Sequence, residues 1–130
     1  MKFIVYSDGA CRGNPGEGAI GGVIQNEKGQ IIEELSHNIG QCTSNVAEYK
    51  ALIAVLKRAK ELGATEVQAI SDSELLVKQI QGRYAVKSVV LRPLYLEVTA
   101  LAMSFTSFKI CHVLRTQNQR ADYLANQAYK

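Results

Sequence analysis

The sequence predicts an α/β domain: a mixed five-stranded sheet with helices packed on it. Three observations carry that expectation. The first third of the chain holds three runs rich in β-branched and aromatic residues, joined by turn residues, with no helical period. The rest alternates helical patterns with two further short apolar runs. Strands joined through helices pair in parallel with right-handed crossovers, so the two halves together make a mixed sheet. The length, 130 residues, suits a single domain over 1–130, large enough to bury roughly two thirds of its unfolded surface.

Taken in order, Lys2 to Ser7 reads as a first strand ending before Asp8, which is expected at the exposed end of that strand. The stretch behind it, Gly9 to Gly16, is too rich in Gly and Pro to continue as strand or helix and reads as a turn. Gly18 to Gln25 is a second strand, Asn26 to Gln30 a hairpin loop, and Ile31 to Ile39 a third strand, giving an antiparallel meander. Thr43, Ser44 and Asn45 offer helix N-cap side chains. Glu48, Leu52, Val55, Leu56, Ala59 and Leu62 then recur at helical spacing until Gly63. Glu66 to Ser71 is a fourth strand, ending in Asp72. Ser73 caps a short helix with Leu75, Leu76, Val77 and Ile80, and Arg83 to Val90 is irregular. Pro93 suits the first turn of a helix whose apolar face is Leu91, Leu94, Tyr95, Val98, Leu101 and Ala102. Phe108 to Leu114 is the fifth strand, in which His112 reads as a packed or hydrogen-bonded residue. Asn118 to Tyr129 is the last helix, with Ala121, Leu124, Ala125 and Ala128 inward.

The composition, 47% hydrophobic and 21% charged, is that of an ordinary globular protein. No apolar run approaches the roughly 18 residues of a membrane span, and no signal-peptide pattern follows Lys2. Three cysteines without a Cys-x-x-Cys pair argue against a disulfide framework or a zinc site and fit a reducing compartment, the cytoplasm. Nothing reads out the oligomeric state, and a monomer is the default. A net charge of +3 permits nucleic acid without demanding it. If several carboxylates cluster in one site, the remaining surface is more basic than the sum suggests.

Four carboxylates occupy matching settings. Asp8 and Asp72 each follow a serine at a strand end and precede a turn. If those strands pair in parallel, the two side chains emerge about 5 Å apart, at the sheet edge where open α/β sheets place ligands. Glu48 extends the buried stripe of the first long helix to its first turn. Asp122 borders the inward stripe of the last. Singly, Glu48 is explained by a helix N-terminus and Asp122 by a solvated face near Arg120. Together they would repel and raise one another's pKa, which a hard divalent cation relieves. Two such ions about 4 Å apart suit phosphodiester cleavage.

These residues fall in motifs that resemble the ribonuclease HI family over nearly the whole chain, Ile4 to Ala125. The motifs are Asp8-Gly9-Ala10-x-Arg12-Gly13-Asn14-Pro15-Gly16, then Thr43-Ser44-Asn45-x-x-Glu48, then Ser71-Asp72-Ser73, and finally Arg115-x-x-Asn118-x-x-Ala121-Asp122-x-Leu124-Ala125. Each alone is weakly specific; all in order are strongly so. The resemblance implies the ribonuclease H-like fold, with sheet order 3-2-1-4-5. It implies an endonuclease cutting the RNA strand of an RNA–DNA hybrid, with two Mg²⁺ or Mn²⁺ ions and products bearing 5′-phosphate and 3′-hydroxyl ends. Asp8, Glu48, Asp72 and Asp122 match the catalytic, metal-binding carboxylates. Asn14 and Asn45 match minor-groove contacts and Thr43 a pocket for a DNA phosphate. Gly9, Cys11, Arg12, Gly13, Ser44, Ser73, Glu74, Arg115 and Asn118 complete the expected substrate contacts. A 2′-hydroxyl distinguishes RNA from DNA and lies in the wide minor groove, where glycine-rich backbone can approach closely.

The chain departs from the family pattern in three places. Gln81 to Arg92 carries only Arg83, Lys87 and Arg92, so the basic hybrid-gripping protrusion of well-studied bacterial members is missing. Glu74 stands where glutamine is frequent, which adds a negative charge beside the phosphate path. Arg115 stands in the loop where a histidine is frequent; it holds phosphate or helps product leave and is no base, because it stays protonated. The alternative reading is therefore a catalytically silent ribonuclease-H-like module that binds nucleic acid, a hybrid or a structured RNA. The missing protrusion predicts a shallower dependence of log affinity on log salt than in a member that has it. Fluorescence titrations of a labelled hybrid at several salt concentrations measure that slope, and an equally steep one contradicts the expectation.

Overall fold

A computed structural model describes residues 1–130. Strand β1 (Lys2–Gly13) pairs antiparallel with β2 (Gly16–Asn26), which pairs antiparallel with β3 (Ile31–Cys42). Helix α1 (Ser44–Glu61) crosses to β4 (Glu66–Ser71), which lies parallel along the other side of β1. Helices α2 (Glu74–Ile80) and α3 (Leu91–Met103) lead to β5 (Ser107–His112), parallel to β4. A 3₁₀ turn at Arg115–Gln117 and helix α4 (Gln119–Gln127) follow. The sheet order is β3-β2-β1-β4-β5, as the resemblance implies. The ten residues between α2 and α3 form no helix, so the protrusion is indeed missing.

The main core lies between α1, α3 and one face of the sheet. Val5, Ile24, Val67 and Ala69 of the strands meet Leu52, Val55 and Leu56 of α1 and Val98 of α3. Each such side chain taken from water stabilises the fold by about 1.5–3 kcal/mol before entropy is counted. Tyr49, fully buried, is satisfied by donating its hydroxyl to Gln79 Oε1 at 2.7 Å. Helix α4 packs on the opposite face, over β1 and β2.

Close backbone approaches set both helices. A Cβ at Gly9 would sit 2.3 Å from the Ala47 carbonyl carbon, so only glycine lets the first turns of α1 rest on β1. A Cβ at Gly21 would sit 2.1 Å from the Ala121 carbonyl oxygen and 2.4 Å from the Ala125 nitrogen, so the same holds for α4.

The structure departs from the sequence reading at one important point. Beyond Ser7 the chain does not turn: β1 continues to Gly13, and β2 begins at Gly16 rather than Gly18. Every residue from Asp8 to Gly13 has a partner on β2, while the parallel ladder with β4 stops at Ser7 and Ser71. Glycines that look like turn residues thus form a two-stranded ribbon. Asp8 lies within a strand, only 5% exposed, and not at an exposed end. Strand β5 stops at His112 rather than Leu114 because its partner β4 ends at Ser71, and His112 is exposed rather than packed.

Replacing Gly21 by alanine forces α4 off the sheet. The expected cost is about 1–3 kcal/mol, typical of overpacking. Urea unfolding followed by circular dichroism measures it, and an unchanged midpoint would mean α4 does not rest on Gly21.

Candidate active site

The last parallel pair, Ser7 with Ser71, puts the next residues of both chains, Asp8 and Asp72, side by side. Thr43 caps α1, its Oγ1 accepting from the Val46 amide at 3.3 Å. That start, with the approach at Gly9, brings Glu48 over β1, where its Oε1 accepts the Gly9 amide at 2.6 Å. One oxygen from each of Asp8, Glu48 and Asp72 lies within 4.8 Å of the others. Asp122, on α4, lines the same open cleft of about 440 Å³. It is held by Arg115, whose Nη2 donates to Oδ1 at 3.1 Å.

The electrostatics are unfavourable for bare carboxylates. Burial, joined by the charges of Glu48 and Asp72, pushes the Asp8 pKa from 3.8 up to about 9. Burial also pushes Glu48 up to about 7, against the pull of the Gly9 amide and with the push of Asp72. The Asp122 carboxylate holds the Arg115 guanidinium above its ordinary value. A set of oxygen donors that resists ionisation on its own, yet faces an open cleft, is the environment a hard divalent cation fits.

The other expected site residues divide into groups. Gly9, Cys11 and Arg115 border the cleft itself. Cys11 Sγ donates to the Cys42 carbonyl at 3.1 Å, and the Asn14 side chain accepts the Ser44 amide at 3.1 Å. These contacts tie the ribbon end, with exposed Arg12 and Gly13, to the start of α1. Asn14, Thr43 and Asn45 share a second groove of about 390 Å³, walled on its far side by Ser88, Val90 and Leu91. Ser73 caps α2, its hydroxyl accepting the Leu76 amide at 3.3 Å. Glu74 is paired with Lys78 at 2.9 Å, which offsets its charge. Asn118 lies elsewhere than expected: it is 1% exposed, and its Nδ2 donates to the Ser7 carbonyl at 2.9 Å, so it braces the strand beneath Asp8 from within rather than lining the cleft.

Sequence reasoning missed Asn126 in the cleft and Ser88 in the groove. Asn126 was findable: it lies four residues after Asp122 on the same helix face, and its Nδ2 donates to the Asp122 carbonyl at 2.9 Å. Ser88 carried no signal, since it comes from an irregular segment.

The sheet order and the carboxylate cluster define the class. A family model described as reverse transcriptase-like matches residues 6–128. Among curated relatives, a bifunctional protein of Mycobacterium tuberculosis is 43% identical across 98% of this chain, which covers 35% of that protein. A ribonuclease HI of Halobacterium salinarum is 42% identical across 95% of this chain, which covers 62% of it. The chain thus spans between about one third and two thirds of these relatives' lengths. The crystal structure of the Halobacterium salinarum ribonuclease H1 superposes with a TM-score of 0.97 at 40% identity, covering 99% of this chain and 98% of that one. A compost-derived ribonuclease H1 solved with an RNA/DNA hybrid gives 0.92 at 41% identity, covering 97% and 95%. The chain belongs to the ribonuclease H family.

The raised pKa of Asp8 has a thermodynamic sign. Without metal, the native state keeps a proton that the unfolded chain releases above about pH 4. Stability therefore falls as pH rises through the window up to about 9. Asp8→Asn removes this penalty. In chelator at pH 8 the variant is expected to be more stable than the parent by on the order of 5 kcal/mol, with the difference gone near pH 4. Urea unfolding at both pH values tests it, and a variant less stable at pH 8 would refute it.

Proposed function

We propose that this chain is a metal-dependent endoribonuclease that hydrolyses the RNA strand of RNA–DNA hybrids, giving 5′-phosphate and 3′-hydroxyl ends. The observation that carries it is the convergence of Asp8, Glu48 and Asp72 within 4.8 Å, with Asp8 nearly buried. A protein that only binds phosphate gains nothing from clustered negative charge. The relatives support the substrate: one structural relative carries ribonuclease H1 in its name and was solved with an RNA/DNA hybrid.

Asp8, Glu48, Asp72 and Asp122 would hold two Mg²⁺ or Mn²⁺ ions. The chemistry such ions supply when bound is acidification of water and stabilisation of the charge growing on the leaving oxygen. The chain's own residues do the rest. The Gly9 amide orients Glu48. Arg115, exposed and beside Asp122, meets the phosphate or its product as a fixed cation. Asn14, Asn45 and the backbone of Cys11 to Gly13 face the minor groove, where 2′-hydroxyls select RNA. Thr43 and Ser88 flank a groove suited to the DNA strand. The Glu74–Lys78 pair weakens the case for a silent module, because the extra charge is already offset. One chain supplies all four carboxylates, so the reading needs no partner subunit, and a cysteine set without a Cys-x-x-Cys pair supports a reducing compartment such as the cytoplasm.

An end-labelled RNA–DNA hybrid, cut with Mg²⁺ or Mn²⁺ beside an all-DNA duplex, tests the proposal. Cleavage of the RNA strand alone is expected. Asp8→Asn should lower the rate by more than about 100-fold, since even the outer supports of metal ligands cost about 10–100-fold. Binding without cleavage under either metal would favour the silent module.

A further inference from the structure

Arg12 is the arginine of this structure most conspicuously reserved. Arg58, Arg115 and Arg120 each hold a carboxylate. Arg12 holds none, although its cross-strand partner on β2 is Glu17, and opposite charges facing each other across a ribbon ordinarily pair. Both side chains are engaged elsewhere. Glu17 Oε1 is taken by the Asn38 side-chain amide at 2.7 Å. The Arg12 guanidinium lies instead over the Tyr129 ring, its carbon 3.9 Å from the centroid. The Tyr129 hydroxyl donates to the Glu17 backbone carbonyl at 2.8 Å. Tyr129, just beyond α4, therefore grips both members of one cross-strand pair. Its half-buried ring supports a cation whose outer face is exposed.

We infer that Arg12, positioned by Tyr129, forms a phosphate subsite for the nucleic acid backbone outside the catalytic cleft. The inference rests on the hybrid-cutting reading above. Arg12 follows Asp8 by four residues along β1, so it lies about 13 Å from it at ~3.3 Å per residue. Phosphates of one strand advance about 3.4 Å along a duplex axis, so with β1 laid along that axis Arg12 would meet a phosphate about four nucleotides from the cut. A planar guanidinium stacked on an aromatic face keeps its edge N–H groups free, the geometry in which arginine binds phosphate in fork fashion. Stacking restricts the side chain before binding, so less freedom is lost when phosphate arrives. Tyr129 is a positioning residue; Arg12 makes the contact.

The test is steady-state cleavage of a hybrid long enough to extend ten base pairs on both sides of a unique cut, by the full chain and four variants. Arg12→Ala and Tyr129→Leu are each expected to raise KM roughly three- to tenfold with kcat within twofold of the parent. Arg12→Ala should also lower the slope of log affinity against log salt by about one. Tyr129→Phe keeps the ring and should restore KM to within twofold. The double variant should be no worse than Arg12→Ala alone. Shortening the hybrid below about four base pairs on one side should abolish the difference between parent and Arg12→Ala. Additive effects of the two substitutions, or an equal loss with Phe and Leu at Tyr129, would overturn the positioning role. An unchanged KM for Arg12→Ala would overturn the subsite. Failure of the parent chain to bind or cut hybrid would instead strike the functional reading itself.

Discussion

Everything at the catalytic edge depends on one backbone-to-backbone approach, that of α1 to β1 at Gly9. The glycine has no side chain, so the peptide between Ala47 and Glu48 lies directly on the strand. That contact turns Glu48 toward Asp8, and the Gly9 amide then anchors the glutamate. The same approach concentrates negative charge where water is scarce. The helix is held there by apolar burial along Leu52, Val55 and Leu56, one to two turns beyond Glu48. Packing at one end of α1 thus sustains electrostatic strain at the other, and the strain is the feature a divalent cation can use.

Much of this was legible in the sequence because the signals were local. The cap at Thr43, the stripe on α1, the bounds of β4 and the cap at Ser73 are written in adjacent residues and appear as expected. The four carboxylates could be singled out because a charge beside an apolar stripe is conspicuous. The family resemblance then supplied the sheet order, which no local pattern gives.

What stayed hidden depends on partners distant in the chain. Gly9 to Gly13 read as a turn because glycine usually breaks strands; here β2, itself glycine-rich, pairs with every residue. Asn118 sat in a polar motif at a helix start, and only the assembled sheet shows it buried against the Ser7 carbonyl. The neutralisation of Glu74 by Lys78 is a four-residue helical pairing and could have been read from spacing alone. The diversion of Arg12 from Glu17 to Tyr129 could not, since Tyr129 is 112 residues away from Glu17.

The placement of α4 divides the catalytic edge between two layers. Three carboxylates belong to the layer built on the main core, whereas Asp122 arrives on a short helix lying on the other face. That helix is fastened by its fit over Gly21, by the Arg120 pairing with Glu34 and by Ser36 donating to the Leu124 carbonyl at 2.6 Å. None of these fasteners belongs to the large apolar cluster. Asp122 is therefore tied to the sheet by contacts separate from those that hold Asp8, Glu48 and Asp72. A cation held by all four carboxylates would therefore join two layers that the apolar core leaves separate.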